Sequence, residues 1–121
     1  MKPDIILQIE DLIADSYFAR EWCVFYPSQI AAAVGINEEV AAAAMTKLAG
    51  VGKLRSYWEF FDADGQTVWK TERRDDSGEI DPGTLPVDSP IEAFEHYFEI
   101  SDEWRKRLEV KKKSRQERST G

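Results

Sequence analysis

An α+β fold is predicted by the order in which three patterns appear along the 121 residues. Apolar residues recur at helical spacing through residues 4–49. Two runs rich in β-branched and aromatic residues then flank Asp62-Ala63-Asp64-Gly65, the mark of a hairpin. An alternating run at 91–100 follows and leads into a strongly basic stretch. At 42% hydrophobic and 12% aromatic, the chain carries enough apolar surface for a packed core, and its length suits one domain with an appendage.

The first helix is predicted from Asp4 to about Arg20. Ile5, Ile6, Ile9, Leu12, Ile13 and Tyr17 form a broad apolar stripe, with Glu10, Asp11 and Asp15 outside it. Trp22 to Tyr26 is short and rich in β-formers, so it reads as a small strand in which Cys23 behaves as a buried apolar residue. Pro27 suits the first turn of a helix, and Ser28 beside it can cap free amides. Ile30, Ala31 and Val34 give that helix its apolar side. Gly35 ends it, since glycine enters the left-handed region without penalty. Ile36 plugs the turn. Asn37 is a good N-cap for the next helix, and Glu38 and Glu39 sit at its positive end. That helix runs from about Glu38 to Ala49, places Ala41, Ala44, Met45 and Leu48 on one face, and is stopped by Gly50 and Gly52.

The hairpin strands are predicted at Leu54 to Phe61 and Gln66 to Arg73. Tyr57, Trp58, Phe60, Phe61 and Trp69 give more aromatic surface than a thin hairpin needs, so either both faces are covered or one awaits a partner. Asp75 to Pro90 is a polar loop holding three of the five prolines, long for a compact domain. Residues 91–100 send conflicting signals. Ser89-Pro90-Ile91-Glu92 matches a capping box and argues for a helix, whereas Phe94, His96, Phe98 and Ile100 alternate with Glu95, Tyr97 and Glu99 and argue for a strand. The strand is favoured, added to the hairpin sheet with His96 on its inner face. Ser101, Asp102 and Glu103 open a final helix carrying Trp104 and Leu108, and Lys111 to Gly121 is expected to be disordered.

The unit from Pro27 to Leu54 resembles the winged helix-turn-helix superfamily, and in particular its small prokaryotic members. Two short helices around a glycine-containing turn carry the resemblance, with Ile36, Asn37, Ala41, Leu48, Gly52 and Leu54 at the usual spacing. It implies a winged-helix domain at 1–74 with an enlarged wing sheet, a polar loop and extra strand at 75–100, and a C-terminal helix and disordered basic tail at 101–121. In DNA-binding members the exposed positions of the second helix carry Ser, Lys, Arg, Thr or Gln, and the wing tip carries Arg or Lys. Here those positions hold Asn37, Glu38, Glu39, Val40, Ala42, Ala43 and Thr46, and the tip holds Asp62 and Asp64. The alanines read either as good helix formers on a solvated face or as a packing surface.

Two function classes follow. One is a protein-interaction module, an adaptor or small subunit of a prokaryotic complex. Its partner, another protein or a second copy of the chain, is met by Glu39, Ala42, Ala43, Thr46, Tyr57, Trp58 and Trp69. The other is a DNA-binding transcriptional regulator, contacting nucleic acid through Asn37, Lys53, Arg55, Arg73, Arg74, Lys111, Lys112 and Lys113. Charge separates them. Residues 1–104 hold 8 Lys and Arg against 21 Asp and Glu, a net of −13, while residues 105–121 hold 8 against 2, a net of +6. The acidic part repels phosphate, which favours the first class. The basic end reads either as a nucleic-acid arm or as a helix end whose lysines complement the dipole.

Catalysis is not expected. One His and one Cys leave Cys23 with His96 as the sole nucleophile–base pair to consider, and a thiol in an apolar run stays protonated and inert. The acids at 62, 64 and beyond lack calcium-loop spacing, and no phosphate loop or metal-ligand spacing occurs. No cofactor or small-molecule substrate is expected. A lone cysteine fits a reducing cytoplasm. No apolar run approaches a membrane span, and the N-terminal residues do not form a signal peptide.

Overall fold

The computed structural model describes residues 3–73 and 90–120. Its elements are α1 (Pro3–Arg20), β1 (Val24–Phe25), α2 (Pro27–Val34), α3 (Glu38–Gly50), β2 (Leu54–Phe61), β3 (Thr67–Arg73), β4 (Ala93–Ile100) and α4 (Asp102–Thr120). The α+β class is therefore as predicted: four helices pack with one four-stranded antiparallel sheet of order β1-β4-β2-β3.

The helical half follows from its sequence signals. Ile9 and Ile13 of α1 are fully buried and Tyr17 nearly so. The expected Ser28 cap is replaced: Ser28 stays exposed, and Gln29 Oε1 accepts from the Tyr26 N–H at 3.3 Å, holding the chain as it enters α2. Gly35 takes the left-handed conformation (φ 80°), and its N–H donates to the Ala31 carbonyl. Asn37 Oδ1 accepts from the Val40 N–H at 2.9 Å, which starts α3. Ala41, Ala44, Met45 and Leu48 are buried, the face that helical spacing indicated. Gly52, at φ 83°, turns the chain into β2.

In the hairpin, Asp62 Oδ1 accepts from the N–H groups of Asp64 and Gln66, both at 2.9 Å. That Asx-type turn fixes the tip. Side chains of β2 alternate: Leu54, Ser56, Trp58 and Phe60 are buried toward the helices, while Arg55, Tyr57, Glu59 and Phe61 are half-buried on the other face.

The strand at 91–100 forms and joins the hairpin sheet, as expected, lying between β1 and β2. It pairs with all eight positions of β2, from Leu54↔Ile100 to Phe61↔Ala93. The capping-box signal at 89–92 loses because alternation lets Phe98 and Ile100 join the core from one face while Tyr97 packs on the other. Helix α4 departs from expectation: it continues to Thr120 where disorder was expected from Lys111 onward. Lys, Arg, Gln and Glu are good helix formers. The helix is also anchored, since Trp104 and Leu108 belong to the same buried cluster as Ile9, Ile13, Met45, Leu54 and Phe98. The Tyr17 hydroxyl donates to Glu109, and Lys112 pairs with Glu21 at 3.0 Å, tying α4 to α1 and to the residue that follows it. Among the described residues, no helix is long and apolar enough to cross a membrane. The expected loop at Asp75 to Pro90 lies, but for Pro90, outside the described residues.

Candidate interaction surface

The sheet outruns the helices. Along its helix-facing side, Leu54, Phe98 and Ile100 enter the common core. Farther along the same side, Trp58, His96 and Phe94 leave it and meet a cleft of about 890 Å³. The opposite wall is the start of α2, from Tyr26 to Ser28, and the start of α3, where Glu38, Glu39 and Ala42 stand. Trp58 is 6% exposed and anchors the floor, with the His96 ring stacked on it at 4.1 Å and Phe94 at 5.5 Å. Phe94 itself is 49% exposed, since no described helix reaches that far along β4.

His96 is held from inside. Its Nε2 lies 2.8 Å from Ser56 Oγ, and burial pushes the imidazole down to about 4. A Ser–His hydrogen bond is the beginning of a nucleophile–base arrangement. Here Ser56 is 4% exposed and does not line the cleft. The Cys23–His96 pair considered from sequence is not assembled, since Cys23 Sγ donates to the Glu21 carbonyl at 3.6 Å while His96 meets Ser56. Among the described residues, no group of three or more His, Cys, Asp or Glu side chains gathers to hold a metal ion.

The reverse face of the sheet carries a row of tyrosines. Tyr97 lies 5.7 Å from Tyr26 and 5.6 Å from Tyr57, stacked on the latter. Lys70 Nζ sits 5.3 and 5.4 Å from the rings of Tyr57 and Tyr97, a cation–π arrangement, and its hydrogen bond to Tyr97 raises its pKa. Arg55 binds Glu72 through two nitrogens at 3.0 and 2.8 Å and covers the Tyr57 ring.

The residues expected to meet a partner are only partly brought together. Glu39, Ala42 and Trp58 line the cleft. Ala43 is exposed on α3, and half-buried Thr46 donates its hydroxyl to the Ala42 carbonyl at 2.8 Å. Tyr57 faces the other side of the sheet. Trp69 stands opposite Phe60 on β3 and does not line the cleft. Sequence reasoning missed Phe94 and His96 as cleft residues, although the alternation that made 91–100 a strand put both on the helix-facing side. It left Glu38 out of the site as well.

The residues expected to contact nucleic acid are scattered. Asn37 is engaged as a cap, Lys53 pairs with Glu10, Arg55 with Glu72 and Lys112 with Glu21. Arg73 ends β3, opposite Ser56. Arg74 lies outside the described residues. Lys111 and Lys113 are exposed on α4. No protein-family model, curated protein or solved structure matches the chain.

Proposed function

We propose that the chain is a non-catalytic winged-helix module that binds another protein through α3 and the adjoining sheet. The element order α1-β1-α2-α3 followed by a hairpin is compatible with a winged helix. The carrying observation is the exposed side of α3: it offers Glu38, Glu39, Ala42 and Ala43, while its one base-reading candidate, Asn37, is occupied by the helix cap. Phosphate contacts need free cations, and Lys53 and Arg55 at the start of β2 are already paired with carboxylates. The hairpin tip likewise has an Asp62 carboxylate committed to its own turn. Short side chains on α3 allow a partner backbone to come close, and the nearby aromatics supply anchors of the kind that dominate interface energies.

A DNA-binding reading keeps one specific support, the exposed cations Lys106, Lys111 and Lys113 on α4, beside Arg105 and Arg107, which pair with Asp102 and Glu103. Ala43→Arg separates the two. On the protein-interaction reading it abolishes capture of partner from nuclease-treated host lysate while leaving the thermal midpoint nearly unchanged. On the DNA reading it adds a cation to the reading helix and tightens duplex binding. Retention of every protein partner together with a gain in DNA affinity would overturn the interaction module.

A further inference from the structure

Strand β1 pairs with β4 over two residues, Val24↔Glu99 and Phe25↔Phe98, and the Ile100 N–H donates to the Cys23 carbonyl at 2.8 Å. These bonds set the phase of β4. Its even-numbered residues turn their main-chain N–H and C=O toward β1, and its odd-numbered residues toward β2. Extending the register places Pro27 opposite His96. Proline has no N–H to give and it begins α2, so the chain leaves the sheet there. Beyond that point no described strand lies opposite Phe94, whose outward-facing main-chain groups lie in the line that a longer β1 would have taken, at the edge of the cleft that Phe94 and His96 line.

We propose that this open stretch of β4 accepts an extended, lysine- or arginine-bearing segment of a partner protein as an added strand. The inference rests on the protein-interaction reading and supplies the chemistry of the partner. An added strand satisfies the main-chain groups of Phe94 that β1 leaves unpaired, and main-chain pairing of this kind gives affinity without a demand on sequence. Selectivity comes from the side chains. The residue of the added strand opposite Phe94 points into the cleft, and its neighbour on the Glu95 side points to the other face. A long basic side chain in the cleft lays its methylenes on the half-exposed Phe94 ring and carries its charge to Glu38 and Glu39 on the facing wall. The residue on the other face meets Glu95. An acidic segment would confront these carboxylates on both faces, so charge selects against it.

The test uses the full chain, isotopically labelled, with three synthetic peptides. The first alternates Lys and Val, the second replaces Lys by Glu, and the third is the Lys peptide with alternate main-chain nitrogens methylated. The first is expected to shift the amide resonances of Phe94 and its neighbours and to slow hydrogen exchange at the Phe94 N–H. Binding is expected to weaken by about tenfold or more on methylation, in the Glu peptide, and in the Glu38→Gln/Glu39→Gln protein. Phe94→Pro deletes the outward-facing N–H without touching a bond to β2. It is expected to lose the peptide while keeping the resonances of α1 and α3 in place. Equal binding by the methylated peptide, or no shift at residues 94–96 with about 1 mM Lys peptide, overturns the site. A molecular mass of two chains that falls to one with Phe94→Pro would give this edge to a second copy and also overturn it. The interaction module fails separately, through Ala43→Arg, so loss of the lysate partner there with no peptide response on β4 leaves that module standing and removes this site alone.

Discussion

His96 is the single histidine, so its ring can be followed without assignment ambiguity. Burial against Trp58 and Phe98 lowers its pKa from 6.5 to about 4. The unfolded chain therefore takes up a proton between those values while the folded chain does not. Stability is full above pH 6.5 and falls as the pH drops toward 4. A proton NMR titration is expected to show the imidazole neutral at pH 5.5, and His96→Gln is expected to flatten the pH dependence of the urea midpoint between pH 6.5 and 5. Tyr17 offers a second check. Burial and the hydrogen bond to Glu109 push its phenol up to about 12, so a tyrosine absorbance titration should find it ionising late. What could be read at this scale was local. Asn37 announced its cap and Gly35 its left-handed turn, because each depends on its immediate neighbours. The Ser56–His96 bond could not be read, because it depends on two strands lying side by side.

At the scale of elements, periodicity, turn signals and residue type together indicated each of the described helices and strands, and the buried face of α3 matched residue for residue. Leu48→Ala is expected to cost about 2–5 kcal/mol by opening a cavity in the core. Thr46→Ala, which loses only a hydroxyl bonded back to Ala42, is expected to stay within about 0.5 kcal/mol of the parent. Equal denaturant midpoints for the two would place the wrong face inward. Ser101 joins three elements: its hydroxyl donates to the Gly52 carbonyl at 2.7 Å and accepts the Trp104 N–H at 3.1 Å. Ser101→Ala is therefore expected to lower stability by about 1–2 kcal/mol in a urea titration. The position of β4 was not legible. Alternation marks a strand but not its neighbours, and a strand after a long loop can reach either edge of a hairpin. The cleft was lost with it, since its floor exists only where Trp58 lies beside His96 and Phe94. The length of α4 was misread because composition alone hides its anchorage on α1.

Across the whole molecule, charge is divided rather than balanced. The net −13 of residues 1–104 and the net +6 of residues 105–121 meet where α4 packs on α1. Duplex DNA binding by the full chain is expected to be weak and indifferent to sequence, carried by the outward cations of α4. It should collapse between about 50 and 200 mM salt. Lys111→Gln with Lys113→Gln should reduce the slope of log affinity against log salt by about two in an anisotropy titration. Truncation at residue 104 is a poor control, because it removes Leu108 from the core and Glu109 from Tyr17.

The strand order β1-β4-β2-β3 also bears on how the chain assembles while it is being synthesised. The β2–β3 hairpin pairs neighbours and can form as soon as it leaves the ribosome. β1 emerges earlier still, yet its only described sheet partner is β4, translated some seventy residues later. Trp104 and Leu108, which complete the core, follow β4. A nascent chain paused before residue 93 therefore holds Phe25 and Leu54 without the strand that covers them, and the edge of β2 stands open beside it. Such a pause is the moment at which this chain is most exposed to chaperones and to wrong pairing.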